Sequence, residues 1–484
     1  MHALNGTHLA RLLGDWSAGG AGVAYVRLAA ALRLLVLDGR LALDTRMPSE
    51  RNLARALGLS RTTVTAAYDA LRSAGYAASR HGSGTWTTLP PSRLGDTAAA
   101  PWAPAAPDGS DLLDLAHAAP EAPAHALREA YDAALEQLPR HLPGHGYGLF
   151  GLPELRAAVA ERFTTRGLPT SADQILVTAG AQHAFSLVLA LAVSPGDRVL
   201  VEHPTYPNTL DAARRASARF VPVALTDDGW DLDALSAALR QTAPRLAYLI
   251  PDFHNPTGLL ATTDERAALA RELKRSRTLT VVDETLVELR LDGADVPPPL
   301  ATFLPDDLAV TVGTASKTFW GGLRVGWLRA DRATVRRLAA VRATLDNSSP
   351  VLEQLAVAYL LSRSDDVLTT RRRELRGRRD ALAAAIAVRL PDWSVRVPGG
   401  GLVLWYDLGA PVSSALVVAG ERHGLRLAAG PRFGLDGAFE RRLRLPYTYS
   451  VDVLTDAADR LAAAYRSVAE GPATDHRPWV DAFA

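Results

Sequence analysis

Along the N-terminal stretch, apolar residues recur at three- and four-residue intervals, the spacing that gives a helix one buried face. Tyr25, Leu28, Leu32, Leu35 and Val36 make one such face, Leu53, Ala54 and Leu57 a second, and Val64, Tyr68 and Leu71 a third. Polar residues separate them. Pro48 breaks the chain, Ser49 stands where it would cap the second helix, Gly58 ends that helix, and Ser60 would cap the third. Residues 76–79 and 84–87 then read as two strands around a tip of Arg80, His81, Gly82 and Ser83. Residues 89–110 have no apolar period and are rich in Pro, Ala and Gly, which is linker composition. From 111 to 470, short apolar runs alternate with helical stretches, the pattern of an α/β domain with a mostly parallel sheet. The expected organisation is a head over 1–88, a linker over 89–110, a large domain over 111–470 and a tail over 471–484.

Length agrees with this division, because 484 residues exceed what a single hydrophobic core spans. An apolar share of 48% with 22% charged residues excludes a disordered chain. The absence of cysteine excludes disulfides, a thiolate nucleophile, Fe–S clusters and Cys-ligated zinc, and no metal site is expected. No apolar run is long enough for a membrane span, and the N-terminus lacks a signal-type segment, so a cytoplasmic location is expected. Net charge is +1, yet of the 53 basic side chains only Lys274 and Lys317 are lysines. Lys274 lies among Arg271, Glu272 and Arg275, where arginine would serve equally well. Lys317 stands in a different setting, among Ser316, Thr318 and glycines.

Two helices joined by a tight glycine turn, the second opening with Arg61, Thr62, Thr63 and Thr65 facing outward, form a helix-turn-helix pattern. Arg51, Arg61, Arg80 and His81 can meet phosphates, and arginine also reads guanine bidentately. Between Asp44 and Thr88 six arginines face three acids, so this region is locally basic. A small helical docking domain with solvated arginines is the alternative; the two-stranded wing and the Pro48-Ser49-Glu50-Arg51 lead-in count against it. From Met47 to Trp86 the sequence resembles the GntR family of winged-helix regulators, over roughly residues 25–88. The resemblance implies an α+β winged helix-turn-helix that binds double-stranded DNA through Arg51, Ser60, Arg61, Thr62, Thr63, His81 and Gly82.

In the large domain, chemistry-bearing residues follow apolar strands, and in an open α/β sheet ligands bind at the carboxyl ends of strands. Lys317 follows the run 308–312 within Ser, Thr and Gly. A nucleophilic amine must lose its proton, and burial promotes that. Asp283 ends the run 278–283, where it could pair with a pyridinium nitrogen. Asn255 follows the run 246–250 and could donate to a phenolic oxygen. Gly180, Ala181 and Gln182 lie between a strand and a helix, the place of a backbone phosphate cradle, and Arg324 could add a charged contact. Tyr206 follows the run 198–201 and could stack on a ring. Each has an ordinary alternative when taken singly: a loop lysine, a capping aspartate, an Asn-Pro turn, a core tyrosine.

Together, residues 115–465 resemble the fold-type I, class I/II aminotransferases that use pyridoxal 5′-phosphate. The order agrees, with Asn255 and Asp283 28 positions apart and Asp283 and Lys317 34 apart. The resemblance implies that Lys317 is the catalytic residue, forming the internal aldimine with the cofactor. Asp283 would pair with the pyridine nitrogen and Asn255 meet the 3′ oxygen. Thr314, Arg324, Ala181 and Gln182 would hold the phosphate, with Tyr147 reaching it from the neighbouring subunit. Arg444 would bind a substrate carboxylate. There is one departure: where many relatives place a tyrosine shortly after the aspartate, this chain has Thr285 and Leu286. That loss weakens the expectation of fast transamination, not of cofactor binding.

A GntR head joined to such a domain resembles the MocR regulators. The resemblance implies a domain-swapped, head-to-tail homodimer responding to pyridoxal phosphate or an amino compound. Three readings stay open: a regulator with little turnover, a working aminotransferase with a regulatory head, and a large domain that serves dimerisation only.

Overall fold

The computed structural model describes residues 4–14, 16, 23–37, 41, 45–80, 84–88, 112–226, 229–293, 296–435 and 437–469. His81, Gly82, the linker over 89–110 and the tail over 471–484 lie outside them.

Among its described residues the head contains four helices: α1 (Gly6–Leu13), α2 (Ala24–Leu37), α3 (Glu50–Leu57) and α4 (Arg61–Ser73). The first was not expected from the periodicity; it is short and adds Leu9 and Leu13, with Leu12 packed beside them, to the core formed by Leu28, Leu32, Leu53, Val64, Tyr68 and Leu71. Ser49 accepts a hydrogen bond from Asn52 N at 3.3 Å and Ser60 one from Thr63 N at 3.1 Å, so both caps form as their positions suggest. Gly58 closes α3 at a left-handed φ of 66°. The Tyr68 hydroxyl donates to Pro48 O at 2.9 Å and fixes α4 against the lead-in to α3. Strands β1 (Ala77–Arg80) and β2 (Gly84–Thr87) pair antiparallel, and Arg46 bridges Trp86, which adds a third edge to the wing.

The large domain opens with β3 (Leu113–Asp114). Its main sheet contains β4 (Ile175–Thr178), β5 (Arg198–His203), β6 (Arg219–Thr226), β7 (Gly229–Trp230), β8 (Leu246–Leu249), β9 (Leu279–Asp283), β10 (Ala309–Thr314) and β11 (Gly326–Arg329). Their order is β4-β11-β10-β9-β8-β5-β6-β7, parallel except for β11 and β7. The strands β4, β8 and β10 are buried throughout, which is why they read as unbroken apolar runs. Helices cover both faces, giving two separate cores, one around Leu200, Val282 and Phe319 and one around Val201, Val281 and Val312.

A smaller unit follows. Strands β12 (Val403–Asp407), β14 (Ala428–Ala429) and β15 (Arg442–Pro446) form an antiparallel sheet, and β13 (Leu425–Arg426) pairs parallel with β3. The helix Ser413–Arg422, here α5, lies against this unit and also meets α2 of the head, where Arg33 approaches Glu421 at 3.5 Å.

Candidate functional site

The carboxyl ends of β4, β5, β8, β9 and β10 converge on one cavity of about 270 Å³. Nine of the residues expected at a cofactor and substrate site line it: Lys317, Asp283, Asn255, Tyr206, Ala181, Gln182, Thr314, Arg324 and Arg444. Tyr147 does not; it stands 65% exposed, away from the cavity of its own chain.

Lys317 sits on a single helical turn, Ala315–Thr318, directly after β10. Thr314 starts that turn by accepting from Ser316 N at 3.1 Å. The Lys317 amine donates to Ala118 O at 2.7 Å. Desolvation, then the nearby Arg444 charge, push its pKa down to about 8, and Asp283 opposes the shift. The free amine is therefore a much larger fraction near neutral pH than on a solvated lysine, which favours a nucleophile.

Asp283 is buried at the end of β9. Burial raises its carboxyl pKa, while donors from Tyr248 and from Thr285 N, the latter at 2.8 Å, hold it down. Tyr248 went unnoticed in the sequence, because a tyrosine inside an apolar strand reads as core. Phe185, another cavity residue, meets its ring edge-on at 4.9 Å.

Arg444, on β15, is buried where it lines the cavity, and desolvation lowers its pKa to about 10. Its guanidinium donates to Ala116 O and, at 3.4 Å, to Asn255 Oδ1, and it lies over the Phe433 ring at 4.8 Å. Its Nε is buried without a hydrogen-bond partner. The Tyr206 hydroxyl accepts from Asn208 Nδ2 at 2.9 Å. Glu202 braces the loop ends, taking Trp230 Nε1 at 2.6 Å and Ile250 N at 2.8 Å.

The turn between β4 and the helix Ala181–Ala192 passes through Gly180 at φ 104°. A Cβ on Gly326 would fall 2.5 Å from Gly180 Cα, so β11 can lie this close to the turn only with glycine there. Arg324 adopts a left-handed φ of 51° and donates to Ala179 O at 2.6 Å, which holds its guanidinium beside the turn. The donor set fits pyridoxal phosphate: a desolvated amine, a buried carboxylate, a backbone cradle with an arginine, and an orphaned guanidinium nitrogen. Among the described residues, no cluster of His, Asp and Glu is arranged to hold a metal ion.

In the head, Arg51, Ser60, Arg61 and Thr62 are exposed and Thr63 is half-buried, so the start of α4 presents its side chains outward. The Ser60 hydroxyl also lies 2.7 Å from that of Thr62 and 2.8 Å from that of Thr63.

Comparisons with known proteins match two families to the chain. Aminotransferase class I and II matches residues 110–461, and the gntR family of bacterial regulatory proteins matches residues 24–86. The HTH-type transcriptional regulator YisV of Bacillus subtilis is 28% identical over 453 residues, covering 86% of this chain and 90% of its own. The probable rhizopine catabolism regulatory protein MocR of Rhizobium meliloti is 30% identical over 387 residues, covering 75% and 77%. The structure of LysN, an α-aminoadipate aminotransferase from Thermus thermophilus complexed with N-(5′-phosphopyridoxyl)-L-leucine, superimposes with a TM-score of 0.69. It is 27% identical and covers 74% of this chain and 93% of its own.

Proposed function

Because the chain belongs to the aminotransferase class I and II family and carries a GntR-type head, as MocR regulators do, we propose that it is a transcription regulator whose DNA binding answers to pyridoxal phosphate or an amino compound. Pyridoxal 5′-phosphate is the cofactor of this family. When bound, it supplies an aldehyde carbon that amines attack and a ring that withdraws electrons. The observation that carries the reading is the Lys317 amine, desolvated and facing the same cavity as Asp283, in a chain that also has a DNA-binding head.

In this reading Lys317 holds the cofactor, Asp283 pairs with its ring nitrogen and Asn255 meets its ring oxygen. Tyr206 stacks on the ring. Ala181, Gln182, Thr314 and Arg324 bind the phosphate, together with the partner subunit's Tyr147, whose exposure in the single chain supports an intersubunit role. Arg444 takes an effector carboxylate. The head, spanning 1–88, reads DNA through Arg51, Ser60, Arg61, Thr62, Thr63, His81 and Gly82, and the protein acts in the cytoplasm. In the head-to-tail homodimer the contact between Arg33 and Glu421 forms across the pair, because exchange of identical elements preserves each contact. Genome-wide footprinting with and without pyridoxal phosphate and candidate amines, at stated salt, tests the reading. Sites that respond to neither addition would count against it.

A working aminotransferase is the second reading, supported by the amine, carboxylate and guanidinium around one cavity. Steady-state keto-acid production from amino acids separates the two. Thr285 and Leu286, where a phenolic donor would stand, favour the regulator.

A further inference from the structure

Residues 113–119 are the first stretch of the large domain after the linker, and Ala116, His117, Ala118 and Ala119 line the cavity. This strap brings two backbone carbonyls, and both are held by the cations that the proposed function gives to ligands. Lys317 Nζ donates to Ala118 O, and Arg444 donates to Ala116 O.

The other end of the strap is tied toward the head. Leu113 N donates to Gly424 O and Leu115 N to Arg426 O, each at 2.8 Å. Gly424 lies just beyond α5, whose Glu421 meets Arg33 of the head. Asp114 stiffens the bend between the two ends. It accepts from Ala116 N at 2.9 Å, His117 N at 3.2 Å and the His117 ring at 2.7 Å, while the Tyr449 hydroxyl donates to Asp114 O at 3.1 Å.

We propose that this strap is the element through which occupancy of the cavity reaches the DNA-binding head, with Asp114 as its positioning residue. The inference rests on the reading of the cavity as a cofactor and amine site. A ligand carboxylate grips a guanidinium bidentately and with charge, so it outcompetes the neutral carbonyl of Ala116 for Arg444. A cofactor engaged with Lys317 competes in the same way for the bond to Ala118. With both carbonyls released, the strap loses its two bonds to the cavity cations and keeps those at Leu113, Leu115 and Asp114, toward α5 and the head. A ligand that breaks both bonds thus has the differential contact with two states that coupling requires.

The test is hydrogen exchange on full-length protein with no addition, with phosphopyridoxyl-methylamine and with phosphopyridoxyl-glycine, which adds only the carboxylate. Both adducts should protect amides at 181–186 alike. The glycine adduct should speed exchange over 113–119 about tenfold relative to the methylamine adduct. Equal protection at 181–186 with unchanged exchange over 113–119 overturns the inference while leaving the site reading intact. No protection at 181–186 by either adduct overturns both. In a second arm, Asp114→Ala should shift the DNA affinity of cofactor-free protein several-fold toward the adduct-bound value. Asp114→Asn, which keeps the acceptor for Ala116 N and His117 N, should restore it. An unchanged affinity in Asp114→Ala, with the fold intact by circular dichroism, overturns the inference.

Discussion

The Lys317 amine offers a prediction with a magnitude and a sign. Burial and the Arg444 charge bring its pKa down to about 8. At pH 7.5 such an amine is about one-quarter deprotonated, against about one-thousandth for an ordinary lysine. The reactive fraction is thus about two-hundredfold larger than on a solvated side chain. The assay adds pyridoxal phosphate to cofactor-free protein, quenches with borohydride at timed points and reads the covalent mass gain across pH 6–10. The rate should rise through a midpoint near pH 8 and level off above it. Arg444→Met removes a cation that disfavours the protonated amine, so its midpoint should move up, and its rate at pH 7.5 should fall. A wild-type midpoint near that of free lysine would refute the reasoning, as would a midpoint that Arg444→Met leaves in place.

Three further outcomes follow from particular contacts. Tyr248→Phe removes a donor that keeps the Asp283 carboxylate ionised, and should weaken retention of pyridoxal phosphate at least about tenfold in equilibrium dialysis. Ser60→Ala loses the cap on Thr63 N and should cost the head about 1 kcal/mol, read from hydrogen exchange of the α3 and α4 amides. Arg61→Ala should weaken DNA binding about tenfold and, if its contact is to phosphate, flatten the salt dependence by about one unit of slope.

The sequence was legible where a strong local rule operates. A chain that enters a buried strand must leave it at the carboxyl edge, so Asn255, Asp283 and Lys317 could be placed at one site from their positions after apolar runs. The caps at Ser49 and Ser60 were legible for the same reason, since a hydroxyl one turn before an apolar face has few other roles. Tyr248 was hidden because its ring belongs to the core and only its hydroxyl belongs to the site. The carbonyls of Ala116 and Ala118 were hidden more completely, because a backbone acceptor carries no side-chain signal. The antiparallel unit of β12, β14 and β15 was not separated from the main sheet, because its strands are as apolar as the parallel ones; β12 and β15 are buried almost throughout. Tyr147 stands exposed outside the cavity of its own chain, so its proposed phosphate contact needs a second subunit.

In the proposed function the cavity at Lys317 governs what the head does on DNA. The most direct test is the affinity of full-length protein for the DNA upstream of its own gene, by fluorescence anisotropy at one fixed salt concentration. The measurement is made with and without pyridoxal phosphate, in wild type and Lys317→Ala. A specific complex is expected, with an affinity that changes several-fold with the cofactor in wild type and not in Lys317→Ala. Specific binding that is the same with and without cofactor in wild type would contradict it.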